Sequence, residues 1–267
     1  MNKQTIIKTL RYFRMLNLAD RIYFLKIKRI SSEDNRRFFK ENPDVSIPPD
    51  EMLFEILGNN SHRGYWESGI TDSKWIIDII KKKKANEKLQ IAEWGCGPAR
   101  VIRHIKDTKK NYTCYGFDYD EEFIEWCQNN MHDCTFLKND LNPPLNLASD
   151  TLDVFYCVSV FTHLSENMHI EWIKEIWRVL KPGGLFIGTF HGEKFRNRLL
   201  PDEIKIFDTS GLVIRGMVRE GSKNYSAYQS STFLRENFLR DFVDVSEIEG
   251  APFHQNVWCG VKPRLAP

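Results

Sequence analysis

Apolar strands alternate with amphipathic helices between residues 89 and 190, and this alternation limits most strongly what the chain can fold into. Short connections between strands and helices predict a doubly wound α/β sheet that is mostly parallel, with right-handed crossovers. Near the end, FVDVSEI and NVWCGVK follow one another without a helix, which predicts an antiparallel hairpin at the sheet edge. The earlier predicted strands are LQIAEW, YTCYGFD, CTFLKND, TLDVFYCVSV and LFIGTF.

The first 70 residues lie outside this alternating pattern. Residues 4–30 have helical periodicity, and the prolines within residues 31–51 indicate a link. NNSHRGYWESG is a predicted loop, and the next helix is predicted from Thr71, a possible cap. The predicted organisation is a basic helical arm and linker over residues 1–70, a domain over residues 71–267, and an insertion within it at about 191–230.

Charge is unevenly distributed along the chain. Residues 1–30 contain eight Lys or Arg and one Asp, a net charge of +7, while the whole chain carries +2, so the remainder carries −5. The arm suggests an anionic partner and possible peripheral contact with a membrane surface. The alternative, which we favour, is a helix packed on the domain by its apolar face. Because the rest is net acidic, we expect no nucleic-acid partner.

The six cysteines form no CxxC pair, which favours reduced thiols in a cytoplasmic protein and predicts no metal site. The sequence contains no run near the ~20 apolar residues of a membrane-spanning helix. The N-terminus also lacks the apolar centre of a secretory signal peptide.

The stretch IAEWGCGPAR joins the first predicted strand to a helix. Gly95 and Gly97 let the backbone turn tightly and approach a ligand at the carboxyl end of the strand. Arg100 occupies the third glycine position of a dinucleotide loop, and Pro98 removes an amide donor, so a dinucleotide is disfavoured. Glu93 suits a ligand with a cationic amine instead.

Acidic residues end the next two strands as well. Asp118 follows Gly95 by 23 residues, where a carboxylate accepts hydrogen bonds from ribose hydroxyls. Asp140 can accept from the exocyclic amine of adenine, with Leu141 beside the ring. A single acid after a strand is usually a cap or a solvated turn. Three such acids together with the glycine loop favour a nucleoside ligand that carries an amine.

EWGCGPAR resembles motif I of the class I S-adenosylmethionine-dependent methyltransferases, and GFDYDEEFIEWC is similar to their second motif. NDLNPPLN, SDTLDVFYCVSVFTHLSE and WRVLKPGGLFIGTF resemble later motifs in the same order, over about residues 89–190. The resemblance implies a seven-stranded Rossmann-like sheet of order 3-2-1-4-5-7-6 with strand 7 antiparallel, and S-adenosylmethionine as cofactor. The implied cofactor-binding residues are Glu93, Gly95, Cys96, Gly97, Asp118, Tyr119, Asp140, Leu141, Val158 and Ser159.

The flanking segments IPPDEMLFEILGN, YWESG, SVFTHLS and HQNVWCGVKP resemble a bacterial group of these enzymes that modifies glycans or small metabolites. Tyr65 and Trp66 are then expected to cover the cofactor or the acceptor, with aromatic packing as the structural alternative. Tyr225 and Tyr228 lie in the predicted insertion, where specificity for the acceptor would be built.

His163 and His191 are the candidate general bases, because each follows a strand at the edge where the methyl group would lie. The structural alternative for both is a packed loop histidine. The sequence thus predicts methyl transfer to a small molecule or glycan, more at oxygen than at nitrogen. The alternatives are an RNA or protein methyltransferase, a non-catalytic binding module of the same fold, and a nicotinamide oxidoreductase.

Overall fold

The computed structural model describes residues 16–84 and 88–264. Among the described residues, three helices precede the sheet: α1 Leu16–Glu41, α2 Asp50–Leu57 and α3 His62–Lys83. The link predicted over residues 31–51 is wrong in its first part, because α1 continues to Glu41 and ends only before the first proline. The arm predicted over residues 4–30 lies partly outside the described residues.

Helix α3 begins at His62 rather than at Thr71, so the loop predicted before Thr71 is wrong. The Ser61 hydroxyl accepts a hydrogen bond from Gly64 N at 2.9 Å and caps the helix there. Gly69 lies in the helix because another segment approaches closely: a Cβ at this position would be 2.1 Å from the Arg100 carbonyl oxygen. The predicted boundary between residues 70 and 71 falls inside this helix.

The main sheet has seven strands in the order β3-β2-β1-β4-β5-β9-β8. The last strand, β9, runs antiparallel between β5 and β8, which confirms the predicted order and the predicted terminal hairpin. The strands are β1 Gln90–Trp94, β2 Thr113–Asp118, β3 Thr135–Lys138, β4 Leu152–Cys157, β5 Leu180–Phe190, β8 Val243–Ile248 and β9 Asn256–Val261. The crossover helices are α4 Ile102–Thr108, α5 Glu121–Asn130 and α6 Glu166–Val179, the last capped by Ser165 as predicted.

Two apolar cores cover the two faces of the sheet. On one face, Trp172 of α6 packs against Trp94 at a ring distance of 4.0 Å, with Phe161 beside them. On the other face, Ile76 and Ile80 of α3 pack with residues of α4 and α5. Helix α3 therefore belongs to the core of the sheet domain, and it fixes the loop that follows β1.

The segment between β5 and β8 contains a second, smaller sheet. A turn of 3₁₀ helix at Glu193–Arg198 leads to helix α7 Pro201–Ser210 and to the antiparallel strands β6 Leu212–Arg215 and β7 Ser226–Gln229. The helix predicted after this hairpin is only partly formed, as a short α-helical turn followed by a π-helical turn at Leu234–Phe238. The β6–β7 connection returns to the carboxyl edge of the main sheet.

Within residues 16–84 and 88–264, no helix is long and apolar enough to cross a bilayer. Helix α1 packs against α2 through Phe24 and Phe54, whose ring centroids are 5.2 Å apart. Lys28 of α1 also pairs with Asp50 at 3.0 Å.

Candidate functional site

A pocket opens at the carboxyl ends of β1, β2 and β4, where ligands of open α/β sheets bind. Most of the residues predicted to hold a nucleoside line this pocket. They are Glu93, Gly95, Cys96, Gly97, Asp118, Tyr119, Leu141, Val158 and Ser159, and the candidate base His163 joins them. Residues that the sequence did not mark as ligands complete the wall, notably Glu55, Ile56, Arg100, Asn139, Gly221 and Lys223.

The glycine loop adopts the backbone that its sequence predicts. Gly95 and Gly97 have φ of 69° and 50°, in the left-handed region that favours glycine. A Cβ on Gly95 would lie 2.3 Å from the side chain of Val160. The amides of Gly95 and Cys96 donate to the Phe117 carbonyl at 2.8 and 3.0 Å. The loop is therefore fixed against β2, and its backbone forms part of the pocket wall.

Glu93 is buried in this wall and is only partly satisfied by the protein. Its Oε2 accepts from Ile102 N at 3.0 Å and from the Tyr156 hydroxyl at 2.9 Å. Its Oε1 accepts from no donor in the part of the chain that the structure describes. Burial raises the pKa of Glu93 to about 8. A cationic ligand would therefore favour the ionised form of this carboxyl group.

Asp118 connects two loops beneath the pocket. Its Oδ2 accepts from Gly97 N at 2.7 Å and its Oδ1 from Asp120 N at 2.9 Å. Burial raises the pKa of Asp118 to about 6, although these amides oppose the shift. Each carboxylate oxygen has a further lone pair, so the residue can hold the loops and also accept from ligand hydroxyls.

Asn139 lies in the pocket wall at the end of β3. The residue is buried, its Nδ2 donates to the Asp140 carbonyl at 2.6 Å, and its Oδ1 is enclosed without a donor. Asp140, which the sequence favoured for this role, is exposed and does not line the pocket. The sequence pattern predicted a hydrogen-bond acceptor at the end of β3. Strand periodicity does not tell which of the two adjacent polar residues, Asn139 or Asp140, faces the pocket.

His163 has a defined tautomer. Its Nδ1 lies 2.8 Å from the Tyr225 carbonyl oxygen, so Nδ1 carries the proton and Nε2 keeps a lone pair. Burial lowers the pKa of His163, so the ring is neutral at neutral pH. A neutral imidazole in the pocket wall can accept a proton, as a general base requires.

His191 lies outside the pocket and packs within the second sheet. Its ring stacks on Phe195 at 4.4 Å, and its Nδ1 lies 3.2 Å from the Ala227 carbonyl. Burial lowers its pKa to about 3. The structure thus brings His163 to the pocket and places His191 in an aromatic stack, which is the structural alternative for that residue.

The four aromatic residues predicted to contact substrate do not line the pocket. Tyr65 is fully buried in α3, where its hydroxyl donates to the Pro98 carbonyl at 2.7 Å, and Trp66 packs on His104 at 4.4 Å. They sit in a capped helix rather than in a loop, so Tyr65 fixes the glycine loop from behind. Tyr225 offers its backbone carbonyl to His163, and Tyr228 is buried in the small sheet beside Arg215.

A polar cluster lies beside Ser159, at the rim near His163. Ser159 has a φ of 63°, unusual for a residue with a side chain, and its amide donates to Thr189 Oγ1 at 2.7 Å. Its hydroxyl donates to Gln255 Oε1 at 3.1 Å. The Gln255 amide nitrogen donates to no residue within the described ranges. Ser159, which lines the pocket, is thus tied to Thr189 of β5 and to Gln255, which precedes β9.

The β6–β7 connection forms a roof over the pocket. Gly221 N donates to the His163 carbonyl at 2.9 Å, and the Tyr119 hydroxyl donates to the Gly221 carbonyl at 3.2 Å. Lys223 reaches across to α2, where it pairs with Glu55 at 3.2 Å. The roof is thus held by contacts on three sides of the pocket.

Residues 91–184 match the family model described as a methyltransferase domain. They form a class I methyltransferase domain. Among solved structures, the chain resembles a S-adenosylmethionine-dependent methyltransferase from Methanosarcina mazei, with 20% identity over 70% of this chain and 98% of that chain and a TM-score of 0.51. A glycopeptide N-methyltransferase, MtfA, in complex with S-adenosylmethionine has 11% identity over 73% of this chain and 94% of its own, with a TM-score of 0.52. These similarities establish the fold of the methyltransferase domain.

The curated proteins that are similar to the chain in sequence include the following two. One is the tRNA N(3)-methylcytidine methyltransferase trm140 of Schizosaccharomyces pombe, 28% identical over 62% of this chain and 55% of that protein. The other is the putative methyltransferase YqeM of Bacillus subtilis, 25% identical over 49% of this chain and 51% of that protein. The chain spans about half the length of these relatives. The first similarity overturns our expectation of no nucleic-acid partner, which rested only on the acidic net charge outside the arm.

S-adenosylmethionine is the cofactor of this methyltransferase class, and the residues of the pocket fit it. The enclosed and unpartnered Oδ1 of Asn139 suits the exocyclic amine of adenine. The spare lone pairs of Asp118 suit ribose hydroxyls, and the free Oε1 of Glu93 suits an ammonium group. The pocket therefore offers an acceptor for each of three donor groups of the cofactor.

Proposed function

We propose that this protein transfers a methyl group from S-adenosylmethionine to an acceptor that is held beside His163. The observation that carries the proposal is the pocket wall, which combines Glu93, the Gly95–Gly97 loop, Asp118 and Asn139 at the carboxyl edge of the sheet. Packing alone does not explain why the enclosed Oδ1 of Asn139 has no donor, or why only one oxygen of the Glu93 carboxyl group accepts hydrogen bonds from the described residues.

Bound S-adenosylmethionine supplies an electrophilic methyl group on a sulfonium ion. Val158 and Ser159 line the end of the pocket next to His163. An acceptor hydroxyl or protonated amine must lose a proton as it is methylated, and the neutral Nε2 of His163 can receive it. The roof and the fixed loop restrict the approach of the acceptor, and alignment of this kind supplies much of the catalysis in a simple displacement.

The acceptor side of the site supports two classes of substrate. His163 as the base and the hydroxyl of Ser159, which both line the pocket, suit a hydroxyl of a small molecule or glycan. The similarity to trm140 favours an RNA base instead. A ring nitrogen that already has a free lone pair needs no base, so the two classes differ in their dependence on His163.

Binding of S-adenosylhomocysteine, measured by calorimetric titration, tests the proposed cofactor. We expect micromolar affinity, and absence of binding would contradict the proposal. Transfer of tritium from labelled S-adenosylmethionine to total tRNA or to a glycan and metabolite extract then assigns the acceptor class. If His163→Asn abolishes transfer, the acceptor loses a proton during the reaction, whereas unchanged transfer indicates a nucleophile with a free lone pair.

A further inference from the structure

Cys114 and Cys134 face each other at the amino ends of β2 and β3. The two strands pair in parallel with Gly116 opposite Phe136, and a Cβ on Gly116 would lie 2.6 Å from the Phe136 ring. These two positions therefore face the same side of the sheet, and each cysteine lies two residues before one of them, on that same side. Consistent with this placement, Cys114 is buried in the core on that side and Cys134 is half-buried against it.

The spacing of neighbouring strands allows a bond between the two sulfur atoms. Paired strands lie about 4.7–4.9 Å apart, within the range of about 4.4–6.8 Å that separates the Cα atoms of disulfide-linked residues. Both cysteines are free thiols in this structure, and the two thiol groups are in hydrogen-bonding contact. Closing the bond therefore requires rotation of the side chains rather than a rearrangement of the sheet.

The surroundings of the pair favour ionisation of one thiol. A hydrogen bond from the Cys134 thiol stabilises a thiolate on Cys114 and lowers the pKa of Cys114. The ammonium group of Lys106 acts in the same direction, and it is held nearby by the carbonyls of Lys110 and Tyr112 at 3.0 and 2.9 Å. The thiolate is the form of cysteine that reacts with oxidants. Because Cys134 is only half-buried, a small oxidant can reach the pair from its side.

We propose that Cys114 and Cys134 form a reversible disulfide when the protein meets hydrogen peroxide. This oxidation site is separate from the proposed methyl transfer and does not depend on it. The bond closes a loop over residues 114–134, which contains α5 and most of β2. It also links the strand that ends at Asp118 to the strand that leads to Asn139, and both of these residues line the pocket.

The reaction balances with a single molecule of hydrogen peroxide. One sulfur of the pair, as a thiolate, attacks a peroxide oxygen, the O–O bond breaks, hydroxide leaves and a sulfenic acid forms. The other sulfur then attacks the sulfenic sulfur, the S–O bond breaks and a second hydroxide leaves. The two hydroxides take up the two thiol protons, so two thiols are oxidised to a disulfide and the peroxide is reduced to two waters. A dithiol such as dithiothreitol reverses the change by exchange.

The test treats the full chain with an equimolar amount of hydrogen peroxide, blocks the remaining thiols in denaturant and maps linked peptides by mass spectrometry. We expect peptides joined through Cys114 and Cys134, which dithiothreitol releases. Cys96 and Cys127 are the internal control, because both thiols contact the Gly97 carbonyl, at 3.4 and 3.5 Å, and burial raises the pKa of each. The link between Cys114 and Cys134 should form at least about 10-fold faster than a link between the control pair, since each unit of pKa changes the thiolate fraction about tenfold.

The same treatment in urea separates the effect of the fold from that of the sequence. In the unfolded chain, Cys127 and Cys134 are the cysteines closest in sequence, so they should link instead, because short loops close at a low entropic cost. In the folded state, the new bond restricts the unfolded chain, so oxidised wild type should unfold at a higher urea concentration than reduced wild type. Cys134→Ser, a change of similar size at a half-buried position, should abolish both the link and this difference.

Three results would overturn the proposal. The first is that the folded protein yields no link between Cys114 and Cys134. The second is that Cys96 and Cys127 link as fast as this pair. The third is that the link between Cys114 and Cys134 forms as readily in urea as in the folded state, because the arrangement of the strands would then not direct it. None of these results bears on the binding of S-adenosylhomocysteine, which tests the proposed function separately.

Discussion

Replacing Glu93 by Gln should make the protein more stable at neutral and alkaline pH. Burial raises the pKa of Glu93 to about 8, whereas the ordinary value is 4.5. The folded state therefore binds a proton that the unfolded state has released, and the free energy of unfolding falls as the pH rises from 4.5 to 8. Gln resembles the neutral carboxyl group and can keep the hydrogen bonds from Ile102 N and Tyr156, so the variant should lack this fall.

The size of the effect follows from the two pKa values. Each pH unit between them is worth about 1.36 kcal/mol, so the wild type should lose about 3–4 kcal/mol relative to Glu93→Gln between pH 5 and pH 8. This is a large share of the roughly 5–15 kcal/mol that stabilises a typical domain. Below the ordinary pKa, both proteins carry a neutral side chain and should have similar stability.

Urea denaturation of both proteins at several pH values between 5 and 8 measures this difference. Other buried groups also titrate in this range, among them Asp118, whose pKa burial raises to about 6. Those groups are present in both proteins, so their contributions largely cancel when the two curves are subtracted. A difference that stays constant from pH 5 to pH 8 would refute the reasoning, because it would mean that Glu93 is ionised in the folded protein throughout.

Three further predictions concern the loop, the roof and the base. Tyr65→Phe removes the donor to the Pro98 carbonyl, so it should lower the free energy of unfolding by about 1–3 kcal/mol, measured by heat or urea, and weaken the binding of S-adenosylhomocysteine. Tyr112→Phe should change neither quantity, because the hydroxyl of this buried ring makes no hydrogen bond within the described residues. Equal effects of the two substitutions would show that Tyr65 does not fix the loop. Gly221→Ala should lower the free energy of unfolding by about 1 kcal/mol or more and also reduce ligand affinity, because Gly221 has a φ of 82° and a Cβ there would lie 2.9 Å from Leu141. Gly250 has a similar φ of 74° but open space around it, so Gly250→Ala should lower stability and leave ligand affinity unchanged. An unchanged calorimetric affinity in Gly221→Ala would contradict the role of the β6–β7 connection as a roof over the ligand. If the acceptor loses a proton, His163→Asn should lower kcat about 10²-fold to 10⁴-fold and leave the affinity for S-adenosylhomocysteine unchanged. Because burial lowers the pKa of His163, the wild-type rate should remain high below pH 6.5. A rate that falls with a midpoint above pH 6.5 as the pH is lowered would contradict the role of His163 as the base.

The fold of the sheet domain could be predicted from sequence because several signals agree there. Apolar runs of strand length, the Ser165 cap and the glycine turn all indicate the same alternating order. The acids at the ends of β1 and β2 were placed correctly in the pocket wall for the same reason, since the carboxyl ends of parallel strands meet at one edge.

The N-terminal third could not be predicted as well, because its signals conflict. Gly64 and Gly69 indicate a loop, yet they lie in α3, where Gly69 allows close packing against Arg100. The contributions of Glu55, Arg100 and Asn139 to the pocket depend on contacts between segments distant in sequence. Periodicity describes which face of an element is buried, and it does not tell which of two adjacent polar residues, such as Asn139 and Asp140, turns inward.

The hydrogen bond between Tyr65 and Pro98 has a practical consequence for anyone who expresses parts of this protein. The family match begins at residue 91, and the sequence pattern suggests a cut near residue 70, which would divide α3 in two. A fragment made at either position would keep the glycine motif and lose the tyrosine behind it, together with Ser68 and the α2 side of the pocket. If such a fragment were inactive, the missing residues would explain the lack of activity, and nothing would follow about the chemistry of the longer protein. Expression trials should therefore begin upstream of α2.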